Sequence, residues 1–268
     1  MTGKLNRPHS PLNPTILRCA IAEDIEKTQL FRDTDQVWLD HIAKDSSICK
    51  LPANASLKCV RGEVNHLYVI IRGYVAIWRP SSFRPNEYSF LAWRGPGQPI
   101  GEMRVLGEPR LSTRIDTCDP CEFIEIREDT FSEVLNGSPI IYRNIVKLLL
   151  KKMRYQGHRS EVIQMNSATG KVAQTLLHLT EERLETDSLL LGEIVIPGAI
   201  RQNQIAAYAG INRHTVSTEL SSLKNAHIIS HSGTKRGTKI TILDRQRLEA
   251  IANEDRTQPD HREQIVAQ

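Results

Sequence analysis

The chain has 268 residues, 40% hydrophobic and 25% charged, with a formal net charge of +4. That length holds one large domain or two ordinary ones, and the composition is that of a soluble globular protein. The five scattered cysteines (Cys19, Cys49, Cys59, Cys118, Cys121) exclude a disulfide framework and suit reduced thiols, and no apolar run approaches the roughly 18 residues of a spanning helix, so the expected location is cytoplasmic with no membrane partner.

In chain order, residues 1–27 are taken as an N-terminal arm, polar and proline-bearing as far as Asn13. Residues 22–44 read as helical, with Val37, Trp38 and Ile42 at helical spacing. From Ser47 to Ile126 the texture changes to short β-branched and aromatic runs: SLKCV, HLYVIIRGYVAIW, EYSFLAW and FIEI. Gly62, Gly73, Gly95, Gly97 and Gly101 punctuate them. Strands at this spacing predict an antiparallel barrel or sandwich.

From Pro139 the pattern turns helical, and Ile140, Ile141, Ile145, Val146, Leu149, Leu150 and Met153 form an apolar face. A polar interval, Arg154 to Glu161, precedes Val162, Ile163 and Met165. So apolar a helix at a domain edge packs either on its own β-domain or against the same helix of a second copy. The paired reading makes Val146, Leu149, Leu150, Met153 and Ile163 a homodimer interface. KVAQTLLHLTEERL then reads as an amphipathic helix and LLLGEIVIP as short strands.

The stretch from Ile200 to Ser230 reads as two short helices around a tight turn. Gly210 supplies the backbone freedom for the turn, and Asn212 is a good N-cap for the second helix. Val216, Leu220 and Leu223 recur at i, i+4 and i+7, so one face is apolar. The other face carries Arg213, His214, Ser217, Thr218, Ser221 and Lys224. Periodicity alone suits a solvated surface helix as well as one for the DNA major groove. Charge favours the groove: between Ala199 and Leu243 six basic residues stand against one acid, Glu219, a larger surplus than that of the whole chain. HIISHSGTKRGTKITIL follows as a hairpin with a basic turn, where Lys235, Arg236 and Lys239 suit phosphates. Asp244 to Ala252 reads as a last helix, and residues 253–268 as a disordered tail. No catalytic constellation or phosphate loop emerges, so no enzyme is expected.

Gly101-Glu102-Met103, the long apolar helix, TGKVAQTLL at Thr169 to Leu177, and QNQIAAYAGINRHTVSTELSSLKNAHIIS together resemble the CRP/FNR family of bacterial transcription regulators. The likeness runs from about residue 28 to 250. It implies an α+β chain: an antiparallel, cyclic-nucleotide-binding-like β-roll of jelly-roll type at 28–137, a dimerisation helix at 138–166 and a winged helix-turn-helix at 167–252. It also implies a homodimer on a two-fold symmetric double-stranded DNA site, with RNA polymerase as a partner if the protein activates. Carried over by position, Arg213, His214 and Thr218 sit where family members read bases, and Arg213 can donate two hydrogen bonds to guanine. Thr215 and Ser217 suit base or phosphate, and Arg201 and Gln202 suit phosphate at a helix N-terminus. His214 and Thr218 depart from the family's usual residues, so its half-site sequence does not transfer.

The sensor region departs further. Cyclic-nucleotide binders of the family use a Gly-Glu pair and an Arg-Ser pair. Here Gly101 and Glu102 are present and Ser112 fills the serine position, but Leu111 fills the arginine position and Arg110 is one residue off. Gln156 and Gly157 stand where a Thr-Ser pair contacts the base, and Thr113 completes the candidate effector set. A phosphate lacking its bidentate arginine loses its main charge partner, which disfavours cAMP or cGMP. Cys19 stands alone in its region, against an iron–sulfur cluster, and Cys118 and Cys121 form a C-x-x-C without a second pair, which reads as two small strand-end residues rather than a metal or redox site. His158 and Arg159 read as a solvated break, with haem or an anionic effector as the sharper alternative. The expectation is a regulator with no bound cofactor or metal, whose sensor does not use cAMP in the usual way. A different class, an effector-gated receptor acting through protein contacts, remains the alternative.

Overall fold

The computed structural model describes residues 14–59, 66–81, 87–107, 113–183, 193–234 and 237–257. Its first half is built on strands β1 (Ser47–Leu51), β2 (Ser56–Cys59), β3 (His66–Arg72), β4 (Val75–Pro80), β5 (Tyr88–Arg94), β6 (Pro99–Ile100), β7 (Thr113–Thr117) and β8 (Cys121–Arg127). They form two four-stranded antiparallel sheets, ordered β1-β8-β3-β6 and β2-β7-β4-β5. Alternation along a strand sends successive side chains to opposite faces. Tyr68, Ile70, Val75, Ile77, Ile115 and Phe123 fill the space between the sheets, while Leu67, Val69, Ile124 and Ile126 face outward onto helices. Both faces being covered, HLYVIIR reads as an almost unbroken apolar run. Gly73 turns the chain at φ 82°, and a Cβ there would come within 2.5 Å of the Pro120 carbonyl, so only glycine fits.

The outward face is covered by α1 (Pro14–Glu26), α2 (Gln36–Asp45), α4 (Glu128–Gly137) and the start of α5 (Pro139–Gln164); a short α3 (Glu102–Val105) follows β6. Ile21, Ile25, Phe31, Ile42, Phe131, Ile141, Ile145 and Leu148 make this cluster. The arm expected to reach residue 27 is therefore shorter: the chain is helical from Pro14, because Ile21, Ala22 and Ile25 form an apolar stripe that packs on the core. Asn144, buried on α5, donates to the carbonyls of Leu30 (3.1 Å) and Arg32 (2.8 Å) and so fixes the helix to the α1–α2 connection.

Helix α5 runs 26 residues without interruption, straight through the polar interval 154–161. Arg154, Gln156, Gly157, Ser160 and Glu161 are exposed, in line with the solvated reading, but His158 and Arg159 are engaged where the helix crosses from the β-roll to the second half of the chain. His158 stacks on His178 at 4.6 Å. Arg159 donates to the Ala207 (3.1 Å) and Tyr208 (3.4 Å) carbonyls. Hydrogen bonds replace apolar packing there, so a polar sequence marks an interface.

The second half comprises α6 (Ala168–Arg183), β9 (Ile194–Val195), α7 (Gln202–Ala209), α8 (Arg213–Asn225), β10 (Ile229–Thr234), β11 (Gly237–Ile242) and α9 (Arg245–Thr257). The last helix runs past the expected Ala252, and the tail from 258 lies outside the described residues. Its sheet is β10-β11-β9, antiparallel. The core of this half is continuous with the outer face of β4 and β5: Ala76, Trp78, Phe90 and Trp93 pack with Leu176, Ile205, Tyr208 and Leu220 in one cluster. Trp78, Phe90, Trp93 and Tyr208 contact one another in sequence, the first pair edge-on and the others tilted, with centroid separations of 5.2, 4.6 and 5.2 Å. Arg94 and Glu182, both nearly buried, pair at 3.5 Å beside them. Trp93→Ala is expected to destabilise the chain by about 3–5 kcal/mol and to split one calorimetric transition into two. A single transition at unchanged temperature would show that the two halves do not share this core.

Candidate nucleic-acid interface

Helix α7 ends at Gly210 in the left-handed region (φ 68°, ψ 30°), which turns the chain sharply into α8. Asn212 caps α8, its side chain accepting from the Thr215 amide at 2.8 Å. Val216, Leu220 and Leu223 are buried against α6, α7 and the hairpin. Arg213, His214, Thr218, Ser221 and Lys224 are exposed, and Thr215 and Ser217 are half-buried. Two hydroxyls bond back along the helix, Thr218 to the His214 carbonyl (3.2 Å) and Ser221 to the Ser217 carbonyl (2.8 Å). Each keeps its oxygen lone pairs for an incoming donor. The face is cationic and polar, and of groove-entering dimensions.

Around it, burial, with a smaller contribution from the Lys224 charge, holds the His231 imidazole on β10 below its ordinary pKa. Lys239 is exposed on β11, whereas Lys235 and Arg236 lie outside the described residues. Arg201 and Gln202 open α7 and are half-buried rather than free. Arg201 donates to Asn54 in the β1–β2 turn. Gln204, fully buried, accepts from the Arg201 amide (2.9 Å) and from the Trp93 indole (3.4 Å). Asp119 accepts from the Ala199 amide at 3.0 Å. The N-terminus of α7 is thus set by the β-roll, a connection that local sequence pattern does not carry.

The expected effector residues are only partly brought together. Gly101 has φ 95° and starts the turn into α3, and Glu102 is 5% exposed. Its carboxylate pairs with Lys152 of α5, whose ammonium burial holds below its ordinary pKa. Lys152 went unremarked in the sequence, although it follows Leu148 by four and so shares its inward face. Gln156 donates to the Leu91 carbonyl at 3.4 Å, and Thr113 begins β7. Arg110 and Ser112 lie outside the described residues.

On α5, Val146, Leu150 and Met153 are exposed together with Tyr142, which sequence reading missed although it stands four residues before Val146. Leu149 packs against the roll-side cluster instead. Ile163 is exposed at the far end, with its side chain beside Gly210. Cys118 and Cys121 are buried; burial, with Cys118 and Asp119 nearby, pushes the Cys121 thiol up to about 12. Iodoacetamide at neutral pH should alkylate exposed Cys19 and spare Cys118 and Cys121 until the protein is denatured. Modification of either in the native state at the rate of Cys19 would contradict this. Among the described residues no group of three or more His, Cys, Asp or Glu is placed to hold a metal ion, and no helix is long and apolar enough to cross a membrane.

Comparison with known proteins matches this arrangement. The Crp-like helix-turn-helix domain pattern matches residues 170–251. The chain is 26% identical over 163 residues to the cyclic AMP receptor protein of Thermus thermophilus, covering 61% of this chain and 70% of that one. It is 26% identical over 190 residues to the cAMP-activated global transcriptional regulator CRP of Pasteurella multocida, covering 69% and 87%. In fold it is similar to FixK2 from Bradyrhizobium japonicum, with a TM-score of 0.60 at 17% identity over 77% of this chain and 96% of that one. Residues 170–251 thus carry a Crp-like helix-turn-helix domain, and the chain is similar to CRP/FNR-type transcription regulators in sequence and in its fold, a β-roll followed by that domain.

Proposed function

We propose that the protein is a homodimer that binds a palindromic DNA site, one α8 entering each of two successive major grooves about 34 Å apart. The observation that carries this is the two-sided character of α8: Val216, Leu220 and Leu223 are buried, while Arg213, His214, Thr218 and Ser221 face solvent. Arg213 donates to a guanine edge, and His214, Thr215, Ser217 and Thr218 contribute the remaining base and phosphate contacts. Arg201, Gln202, Lys224, Lys235, Arg236 and Lys239 hold phosphates and fix the register. Two copies join along Tyr142, Val146, Leu150 and Met153, with Leu149 at the edge of that stripe and Ile163 near its end. Gly157 lies along the same side with open space at its Cβ, so paired backbones can approach.

The β-roll does not take cAMP or cGMP in the usual way. The Glu102–Lys152 pair supports that reading, because a ribose or phosphate would have to displace an internal ion pair. The protein works in the cytoplasm without a resident cofactor or catalytic activity, and RNA polymerase is its further partner where it activates. The test is selection from a random duplex library with purified protein, repeated with cAMP and with cGMP. A two-fold symmetric motif with nucleotide-independent affinity is the expected result. Enrichment of no symmetric motif at moderate salt would overturn the DNA reading, and affinity that rises with either nucleotide would overturn the sensor reading.

A further inference from the structure

Glu219 is the only acid between Ala199 and Leu243, and it stands on α8 itself. A carboxylate on a helix meant for a polyanion repels that partner, so its placement calls for a physical reason. The reason is in its contact. Glu219 Oε2 accepts from Thr169 Oγ1 at 2.6 Å, and Thr169 is the second residue of α6. An anion there meets the positive end of the α6 dipole as well as the hydroxyl. The Glu219 side chain is half-buried, off the exposed face that carries Arg213 and Thr218. The first turn of α6 is in turn tied to the end of α5 by Lys171, which donates to the Ile163 carbonyl at 2.9 Å, and is closed locally by the Ser167 hydroxyl, which accepts from the Gly170 amide at 3.1 Å. Ile163 also lies beside Gly210 at the head of α8.

We infer that Glu219 is a positioning residue for DNA recognition: through Thr169 it sets the roll of α8 relative to α5, and hence the direction in which Arg213 faces. This rests on the proposal that α8 reads the groove. The contact gives α8 a side-chain reference to the helix along which two copies join. In a symmetric dimer, a change in roll misaligns both recognition helices at once.

The sign of one substitution separates this role from a bland one. In the full-length protein, Glu219→Ala is expected to weaken binding to the selected palindromic duplex about tenfold, although it removes a negative charge. Binding to a scrambled duplex should hold or tighten slightly. Thr169→Val, which keeps the shape and loses the hydroxyl, should reproduce the loss, and the double variant should be no weaker than either alone. Glu219→Gln keeps an oxygen for the Thr169 hydroxyl and should hold specific affinity within about twofold of the parent. Thr169→Val and Glu219→Gln carry the test if Glu219→Ala does not fold. Tighter binding of Glu219→Ala to both duplexes alike, additive losses, or a Glu219→Gln loss equal to that of Glu219→Ala would each overturn the inference. Arg213→Ala serves as control: if it keeps full preference for the palindrome, the groove-reading proposal itself fails, whatever Glu219 does.

Discussion

Replacing Arg213 by alanine is expected to weaken specific DNA binding by about 1–3 kcal/mol, roughly five- to a hundred-and-sixtyfold, and to relax one base position in each half-site. Arg213 opens α8 directly after the Asn212 cap, so its direction is set by a hydrogen-bonded turn rather than by a loose helix end. It is exposed, which makes the substitution close to neutral for folding. The guanidinium presents a planar fork of donors, and a lysine gives only a point charge; Arg213→Lys should therefore recover nonspecific affinity without recovering the base preference. Titration of selected and mismatched duplexes by fluorescence anisotropy at several salt concentrations reads both quantities. Lysines that touch only phosphate behave differently, lowering affinity for every sequence together with the salt slope. A uniform loss for Arg213→Ala would assign it to phosphate.

The second large effect concerns α5. Leu150 is 60% exposed and Met153 70%, with Val146 and Tyr142 beside them at intervals of three and four. The opposite side of the same helix is committed to its own chain through Ile141, Ile145 and Leu148. Leu150→Glu therefore leaves the protomer core intact and places a charge in the middle of the free stripe. The expected outcome is a monomer in sedimentation analysis whose protomer unfolds at a denaturant concentration close to that of the parent monomer. Affinity for the palindrome should fall at least about a hundredfold, because the second half-site no longer adds to the first. A variant that stays dimeric and binds the palindrome unchanged would place the contact elsewhere.

Much of this was legible in the residues, and the reasons are local. Gly210 at a left-handed turn, Asn212 as a cap and the apolar stripe of α8 depend on neighbours a few residues away, so pattern suffices to read them. The longer strands are equally plain, since β-branched and aromatic runs end at Gly73, Gly95 and Gly97. Non-local facts were hidden. Within the polar interval 154–161, His158 and Arg159 meet imidazole and backbone carbonyls while five of their neighbours are exposed, and polarity alone does not distinguish those partners from water. Trp78, Phe90 and Trp93 read as strand residues, yet they lie on the outer face and form half of a core shared with α7. Helix α1 was underestimated because its burial depends on α2 and on the roll, far away in sequence. In the sensor, Gly101 and Glu102 were found by their pairing, but the cation that meets them comes from Lys152, fifty positions on.

Two α8 helices are expected to read DNA as a pair. Sedimentation equilibrium of the protein with its selected duplex, and with the same duplex scrambled in one half, tests it most directly. Two protomers per duplex are expected, with affinity collapsing when one half-site is lost. One protomer per duplex, bound as tightly to the half-scrambled as to the full site, would contradict it.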